Sequence, residues 1–172
     1  VKGIGLEGVR KLTNPEKISN NYFLDGIDEI SIIDVTASLY NNELLNKKFK
    51  EISKNIFIPI TLGGGINNLN KAKKAFKYGA DKIAVNKNAV RNIQLLKKFV
   101  DNFGSSNVSV NIDTIFNGFD YEVMIESGKE RTGINLFNWI EKLNKIGVGE
   151  ITVCSLNQEG RLSGYDIELY KK

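Results

Sequence analysis

The sequence contains no histidine. That excludes Ser-His-Asp and Cys-His nucleophile systems and the usual zinc sites, and no metal centre or cofactor is expected. Acid–base chemistry must come from carboxylates, lysine, tyrosine or cysteine. Cysteine is nearly absent as well. Cys154 is alone, so no disulfide can form within the chain, and a cytoplasmic setting is predicted. The residues present show neither an apolar run of membrane-spanning length nor a signal-peptide pattern, so no membrane partner is expected. A large excess of one charge is also missing: 24 basic residues face 20 acidic ones, for a net +4. The pairs Lys47-Lys48, Lys73-Lys74 and Lys97-Lys98 lie in helix-like segments and read as solvated faces. They suit anionic small molecules and do not argue for nucleic acid.

What remains is an ordinary globular composition, 172 residues with 41% apolar and 26% charged, enough for one domain with a real core. One pattern recurs three times. Gly26-Ile27-Asp28-Glu29-Ile30-Ser31-Ile32-Ile33-Asp34 is matched by Gly79-Ala80-Asp81-Lys82-Ile83-Ala84-Val85-Asn86. It returns at Gly147-Val148-Gly149-Glu150-Ile151-Thr152-Val153-Cys154-Ser155. Each copy reads as a helix-ending glycine, a short loop, a buried strand and a polar residue where the strand emerges. Further strands are predicted at Phe57 to Leu62 and Val108 to Asp113. An extra hairpin strand is predicted from Tyr121 to Glu126, after the turn Asn117-Gly118. Helices are predicted from Asn14-Pro15-Glu16 to about Asp25, and over Asn42 to Lys54, Asn70 to Tyr78, Asn92 to Phe103 and Leu136 to Ile146.

Strand–helix alternation with short linkers gives a parallel sheet covered by helices. An open doubly wound sheet is one solution. A (β/α) barrel is favoured, because no dinucleotide fingerprint opens any helix and the polar candidates fall at strand C-terminal ends. The expectation is one barrel domain over 1–172. It begins inside a strand at Val1 and stops within a helix-like run at Lys172, which reads as a fragment with both ends missing.

Gly63-Gly64-Gly65 directly follows Pro59-Ile60-Thr61-Leu62. Such a turn exposes backbone N–H groups and can cradle a phosphate, helped by a following helix N-terminus. The alternative is a tight turn that needs positive φ. Asp34 and Asp113 end two strands, placed for acid–base work or hydrogen bonding to substrate, or for capping a loop. Lys2 contacts a phosphate or is simply exposed. Ser155 and Gly160 flank the polar loop Leu156-Asn157-Gln158-Glu159, a candidate second anion or hydroxyl site. Cys154 reads as a packing residue. Glu29, Lys82 and Glu150 share one repeat position just before a strand's apolar run, on the floor of a barrel. They form a stability network or a charged gate.

Taken together, several segments resemble one family. They are Lys2-Gly3, Asp34-Val35-Thr36-Ala37-Ser38, Pro59 through Ile66, Gly79-Ala80-Asp81-Lys82, Phe103-Gly104-Ser105, Ile112-Asp113, Ser127-Gly128 with Thr132-Gly133, Gly149-Glu150-Ile151, and Gly160 with Ser163-Gly164-Tyr165-Asp166. The whole chain is similar to the cyclase subunit of imidazole glycerol phosphate synthase. The resemblance implies a (β/α)₈ barrel, here an incomplete barrel lacking strand 1 and strands 7–8 and poorly active alone, with a glutaminase subunit docked at its floor and ammonia passing along its axis. It implies a lyase-type cyclase that joins ammonia to the phosphoribulosyl-formimino aminoimidazole carboxamide nucleotide. The products are imidazole glycerol phosphate and aminoimidazole carboxamide ribonucleotide, for histidine and purine synthesis. Asp113 matches the second of two acid–base aspartates; the first belongs upstream of Lys2. Gly64, Gly65 and Asn86 match one phosphate site, Gly160 part of the other, and Lys2 and Asp34 further active-site positions. Glu29, Lys82 and Glu150 match three members of an ammonia gate. Two places depart from the family. Asn157-Gln158-Glu159-Gly160 stands where Asp, a basic residue and Asp-Gly are usual, leaving Glu159 as the loop's carboxylate. Thr114-Ile115 replace a usual lysine. Two rival readings follow: a paralogue delivering ammonia for sugar amidation in surface-polysaccharide synthesis, and a non-catalytic phosphate-binding scaffold.

Overall fold

The computed structural model describes residues 3–7, 14–35 and 44–172. Its elements run in the predicted alternation. Helix α1 spans Pro15–Leu24 and strand β1 Ile30–Ile33. They are followed by α2 (Leu44–Ser53), β2 (Ile60–Gly63), α3 (Leu69–Lys77), β3 (Lys82–Val85), α4 (Lys87–Arg91) and α5 (Ile93–Phe103). Then come β4 (Val108–Phe116), β5 (Tyr121–Ile125), β6 (Glu130–Asn135), α6 (Leu136–Ile146), β7 (Glu150–Ser155) and α7 (Ile167–Lys171). The result is mixed α/β with a parallel-rich sheet in the order β1-β2-β3-β4-β5-β6, and β7 pairs with β4. Among the described residues no helix is long and apolar enough to cross a membrane. Packing divides the chain into two compact units.

One unit holds the described residues among 13–110, with Val148–Glu150. The predicted α1 start is present: Asn14 Oδ1 accepts the Glu16 N–H at 3.2 Å, and Pro15 takes the position where a missing N–H is harmless. β1, β2, β3 and the start of β4 are parallel neighbours. Ile30 pairs with Ile60, Thr61 with Lys82 and Ile83 with Val108. All four β2 residues are buried, as expected of a parallel strand covered on both faces. Phe49, Ile60, Ile83, Leu96, Phe99 and Val108 are within 1% of full burial and form the core. Each such side chain contributes about 1.5–3 kcal/mol over remaining exposed. β2 begins three residues later than predicted. Pro59 has no N–H for a ladder and Phe57 is 83% exposed, so the chain joins the sheet only at Ile60.

The other unit holds the described residues among 1–12, with Asn111–Gly147 and Ile151–Lys172. Here β4 runs past the predicted end at Asp113, because β5 folds back on it. Asp113 pairs with Met124 and Phe116 with Tyr121, antiparallel. β6 then adds to β5 with an irregular register between Glu122 and Met124. Glu122 stabilises that bulge: its carboxylate accepts from Arg131 at 2.8 Å and from the Gly133 N–H at 2.9 Å. β6 escaped prediction because Glu130-Arg131-Thr132-Gly133 carries no apolar alternation. Leu136, Trp139 and Leu143 of α6 are buried, spaced for one helical face.

Candidate functional site

In the first unit the parallel register gathers strand starts at one end and strand exits at the other. At the starting end, Lys82 Nζ lies 2.7 Å from Glu29 Oε2 and 2.6 Å from Glu150 Oε2. The three residues singled out by the repeat thus meet as a bridge, with one ammonium between two carboxylates. Two hydroxyls that sequence reasoning missed complete it. Thr61 Oγ1 donates to Glu29 Oε1 at 2.8 Å, and Ser109 Oγ to Glu150 Oε1 at 3.4 Å. Both hydroxyl residues are buried. Their only sequence signal was a polar residue at the second position of a strand.

The charges tune one another. Burial alone would raise the Glu29 pKa, but hydrogen bonds from Lys82 and Thr61 and the Lys82 charge outweigh it, so the carboxyl sits below its ordinary value. Hydrogen bonds to Glu150 and then Glu29 push the Lys82 pKa up. The sign of the linkage follows. Lys82 stabilises the fold fully below its unfolded pKa of ~10.4 and loses that contribution as pH rises through its higher folded value. Glu29 contributes above ~4.3 and loses its share as pH falls through its lower folded value. The melting-temperature gap between the parent protein and Lys82→Met is therefore flat from about pH 5 to 10. It closes on further alkalinisation. A gap that persists beyond the point where Lys82 loses its proton would show that charge is not its source.

At the opposite end of the same strands stand Asp34, Gly64, Gly65 and Asn86. Gly64 has φ +103, and a Cβ there would collide with the backbone O of Asp34 and lie 2.8 Å from its Cβ. Only glycine lets the turn press this closely on the exit of β1. The Asp34 N–H donates to the Gly63 carbonyl at 3.0 Å. Lys71 Nζ reaches the Gly65 carbonyl at 3.3 Å, and Asn88 Nδ2 donates to the Ile66 carbonyl at 2.9 Å, tying the glycine turn to the segment that follows Asn86. The expected helix N-terminus does not follow the glycines directly. Ile66-Asn67-Asn68 intervene before α3, and Asn68 Oδ1 already accepts the Lys71 N–H at 2.9 Å. Any anion here would be met by the turn's own backbone. Lys2 and residues 36–43 lie outside the described residues.

The second unit holds Asp113, Ser155, Glu159 and Gly160. Asp113 is inside β4 rather than at its end, half-buried, on the face opposite the fully buried Ile112 and Thr114. Burial, the charges of Asp113 and Glu159, and a 3.5 Å hydrogen bond to Glu159 Oε2 push the Cys154 thiol up to about 12. It stays protonated and is no nucleophile. Ser155 is buried, and its hydroxyl donates to Asp166 Oδ2 at 2.6 Å. Tyr121 OH donates to Asp166 Oδ1 at 3.0 Å. Burial would raise the Asp166 pKa, but hydrogen bonds from Ser155, the Leu169 N–H and Tyr121 hold it below its ordinary value. Gly160, at φ +74, packs on the backbone of Gly3 and Ile4. Asn157 Oδ1 accepts the Phe116 N–H at 2.9 Å, which gives this departure from the family pattern a structural task.

The chain is similar to proteins of one family along its whole length. The family model described as "Histidine biosynthesis protein" matches residues 1–172. The chain is 39% identical to an imidazole glycerol phosphate synthase subunit HisF of Legionella pneumophila, over all of this chain and 82% of that protein. It is 37% identical to the subunit HisF of Pyrobaculum aerophilum, over all of this chain and 68% of the relative. Against that of Pyrococcus furiosus it is 36% identical, over 99% of this chain and 68% of the relative.

Proposed function

Because this chain belongs to the histidine biosynthesis protein family, we propose that it acts as the cyclase subunit of imidazole glycerol phosphate synthase, fed with ammonia by a glutaminase subunit. The observation that carries this reading is the similarity to HisF subunits along the whole chain. The fold reading goes with it: the parallel strands are those of a (β/α)₈ barrel.

In this reading Asp113 moves protons while ammonia adds to the bis-phosphorylated aminoimidazole carboxamide nucleotide and the imidazole ring closes with elimination. A carboxylate on a rigid strand suits that task, since it needs no reorganisation to give or take a proton. Gly64, Gly65 and Asn86 hold one phosphate and Gly160 the other. Anchoring both ends converts binding energy into alignment of the reacting centre. Lys2, Asp34, Ser155 and Glu159 contact the rest of the substrate. Glu29, Lys82 and Glu150 form the gate that ammonia passes, so the glutaminase docks at that end of the strands. The bridge itself supports this assignment. An ammonium clasped by two carboxylates is a cationic plug across that end of the strands.

The test is genetic. The gene encoding this chain restores growth without histidine to a strain that lacks its own cyclase. Failure to do so, combined with loss of surface-glycan amidation when the gene is deleted in its own host, would replace this reading with the sugar-amidation one.

A further inference from the structure

The loop after β7 is closed by one carboxylate to which the family resemblance gives no role. Asp166 Oδ2 accepts the Ser155 hydroxyl at 2.6 Å, while Oδ1 accepts Tyr121 OH at 3.0 Å and the Leu169 N–H at 3.2 Å. Ser155 ends β7, Tyr121 opens β5 and Leu169 belongs to α7. The Leu169 bond alone would make Asp166 an ordinary helix cap. A five-residue helix does not need the other oxygen, nor the tyrosine. The Ser155 bond instead joins the two ends of the segment 156–165, so the loop leaves and returns through one side-chain contact. Hydrogen bonds to an ionised acceptor are the strong class.

The loop is fixed again at its middle. The Gly5 N–H donates to the Glu159 carbonyl at 2.9 Å, and a Cβ on Gly160 would lie 2.8 Å from Gly3 C and 2.9 Å from Ile4 Cα. Ser163 Oγ donates to Gln158 Oε1 at 2.6 Å inside the loop. The segment that presents Glu159 and Gly160 is thus held at its base and its crest. A loop ordered in advance does not charge its ordering entropy to the ligand.

We propose that Asp166 is a positioning residue for the second phosphate subsite: with Ser155 and Tyr121 it clasps the base of the loop and sets the Glu159-Gly160 turn for the substrate's phosphate. This rests on the assignment of Gly160 to that subsite. The glutaminase complex is assayed with three variants. Asp166→Asn keeps an acceptor for the Leu169 N–H but puts an amide in place of one oxygen. Tyr121→Phe removes one hydroxyl and leaves the helix cap untouched. Gly160→Ala displaces the turn itself, because its Cβ would run into the backbone of Gly3 and Ile4.

The clasp predicts that Asp166→Asn and Tyr121→Phe each raise the substrate KM about tenfold with kcat within about twofold. Inhibition by inorganic phosphate weakens in parallel, and amide exchange in 156–165 quickens. If KM and phosphate inhibition hold in those two variants but shift in Gly160→Ala, the clasp is only a structural cap and the proposal falls. If all three leave both quantities unchanged, the subsite assignment falls and takes the clasp with it.

Discussion

Asp113→Asn lowers cyclase turnover by about 10²–10⁴-fold, the usual worth of a positioned acid–base group, and leaves substrate KM within about threefold. The substitution keeps size and shape but removes the group that exchanges a proton. The strand should not notice it. Ile112 and Thr114 hold the opposite face at 1% and 0% exposure, and Thr114 Oγ1 donates to the Glu122 carbonyl at 2.9 Å. Asp113 itself is secured by the β4–β5 pairing opposite Met124. Cys154 cannot inherit the task, because its thiol is pushed up to about 12 and stays protonated. Both nitrogen sources must be tested. A lost proton shuttle depresses glutamine-driven and ammonium-driven turnover alike, since it acts after ammonia arrives. A drop smaller than about threefold with ammonium would remove Asp113 from the chemistry.

The parts of this protein that repeat were the parts that could be read. Glu29, Lys82 and Glu150 occupied one position in three copies of a pattern, and parallel pairing keeps equivalent positions at equivalent heights, so the bridge followed from spacing. Helix α6 was read to the residue because Gly147 stops a strongly amphipathic run. Contacts made by non-repeating residues were not legible. Thr61 and Ser109 looked like strand fillers until the fold brought the carboxylates above them. Asp166 was visible only as part of Ser163-Gly164-Tyr165-Asp166, because its partners Ser155 and Tyr121 lie 11 and 45 positions away. The end of β4 was misplaced for a related reason. A strand's length is set by what pairs with it, and the hairpin strand predicted after Asn117-Gly118 carries β4 on to Phe116.

The proposed gate makes the second large prediction. Lys82→Met keeps side-chain length but removes the cation between Glu29 and Glu150. The two carboxylates then face one another unbridged, and Thr61 still holds Glu29 through its other oxygen. The bridging groups are partly exposed, at 21% for Lys82, 35% for Glu29 and 40% for Glu150. Water screens such pairs, so each bridge is worth ~1 kcal/mol or less and the melting temperature falls by only a few degrees. Function should separate from stability. With ammonium supplied in solution, turnover stays close to the parent value, because Asp113 and the glycines proposed to hold phosphate are untouched. With glutamine as the nitrogen source, glutamine hydrolysed per imidazole glycerol phosphate formed rises several-fold, because ammonia escapes a floor whose plug is gone. Thr61→Val gives a smaller change in the same direction, since it frees one oxygen of Glu29 and leaves the ammonium in place. An unchanged glutamine-to-product ratio in Lys82→Met would reduce the bridge to a stability network. Equal losses with both nitrogen sources would move Lys82 from the gate to the chemistry.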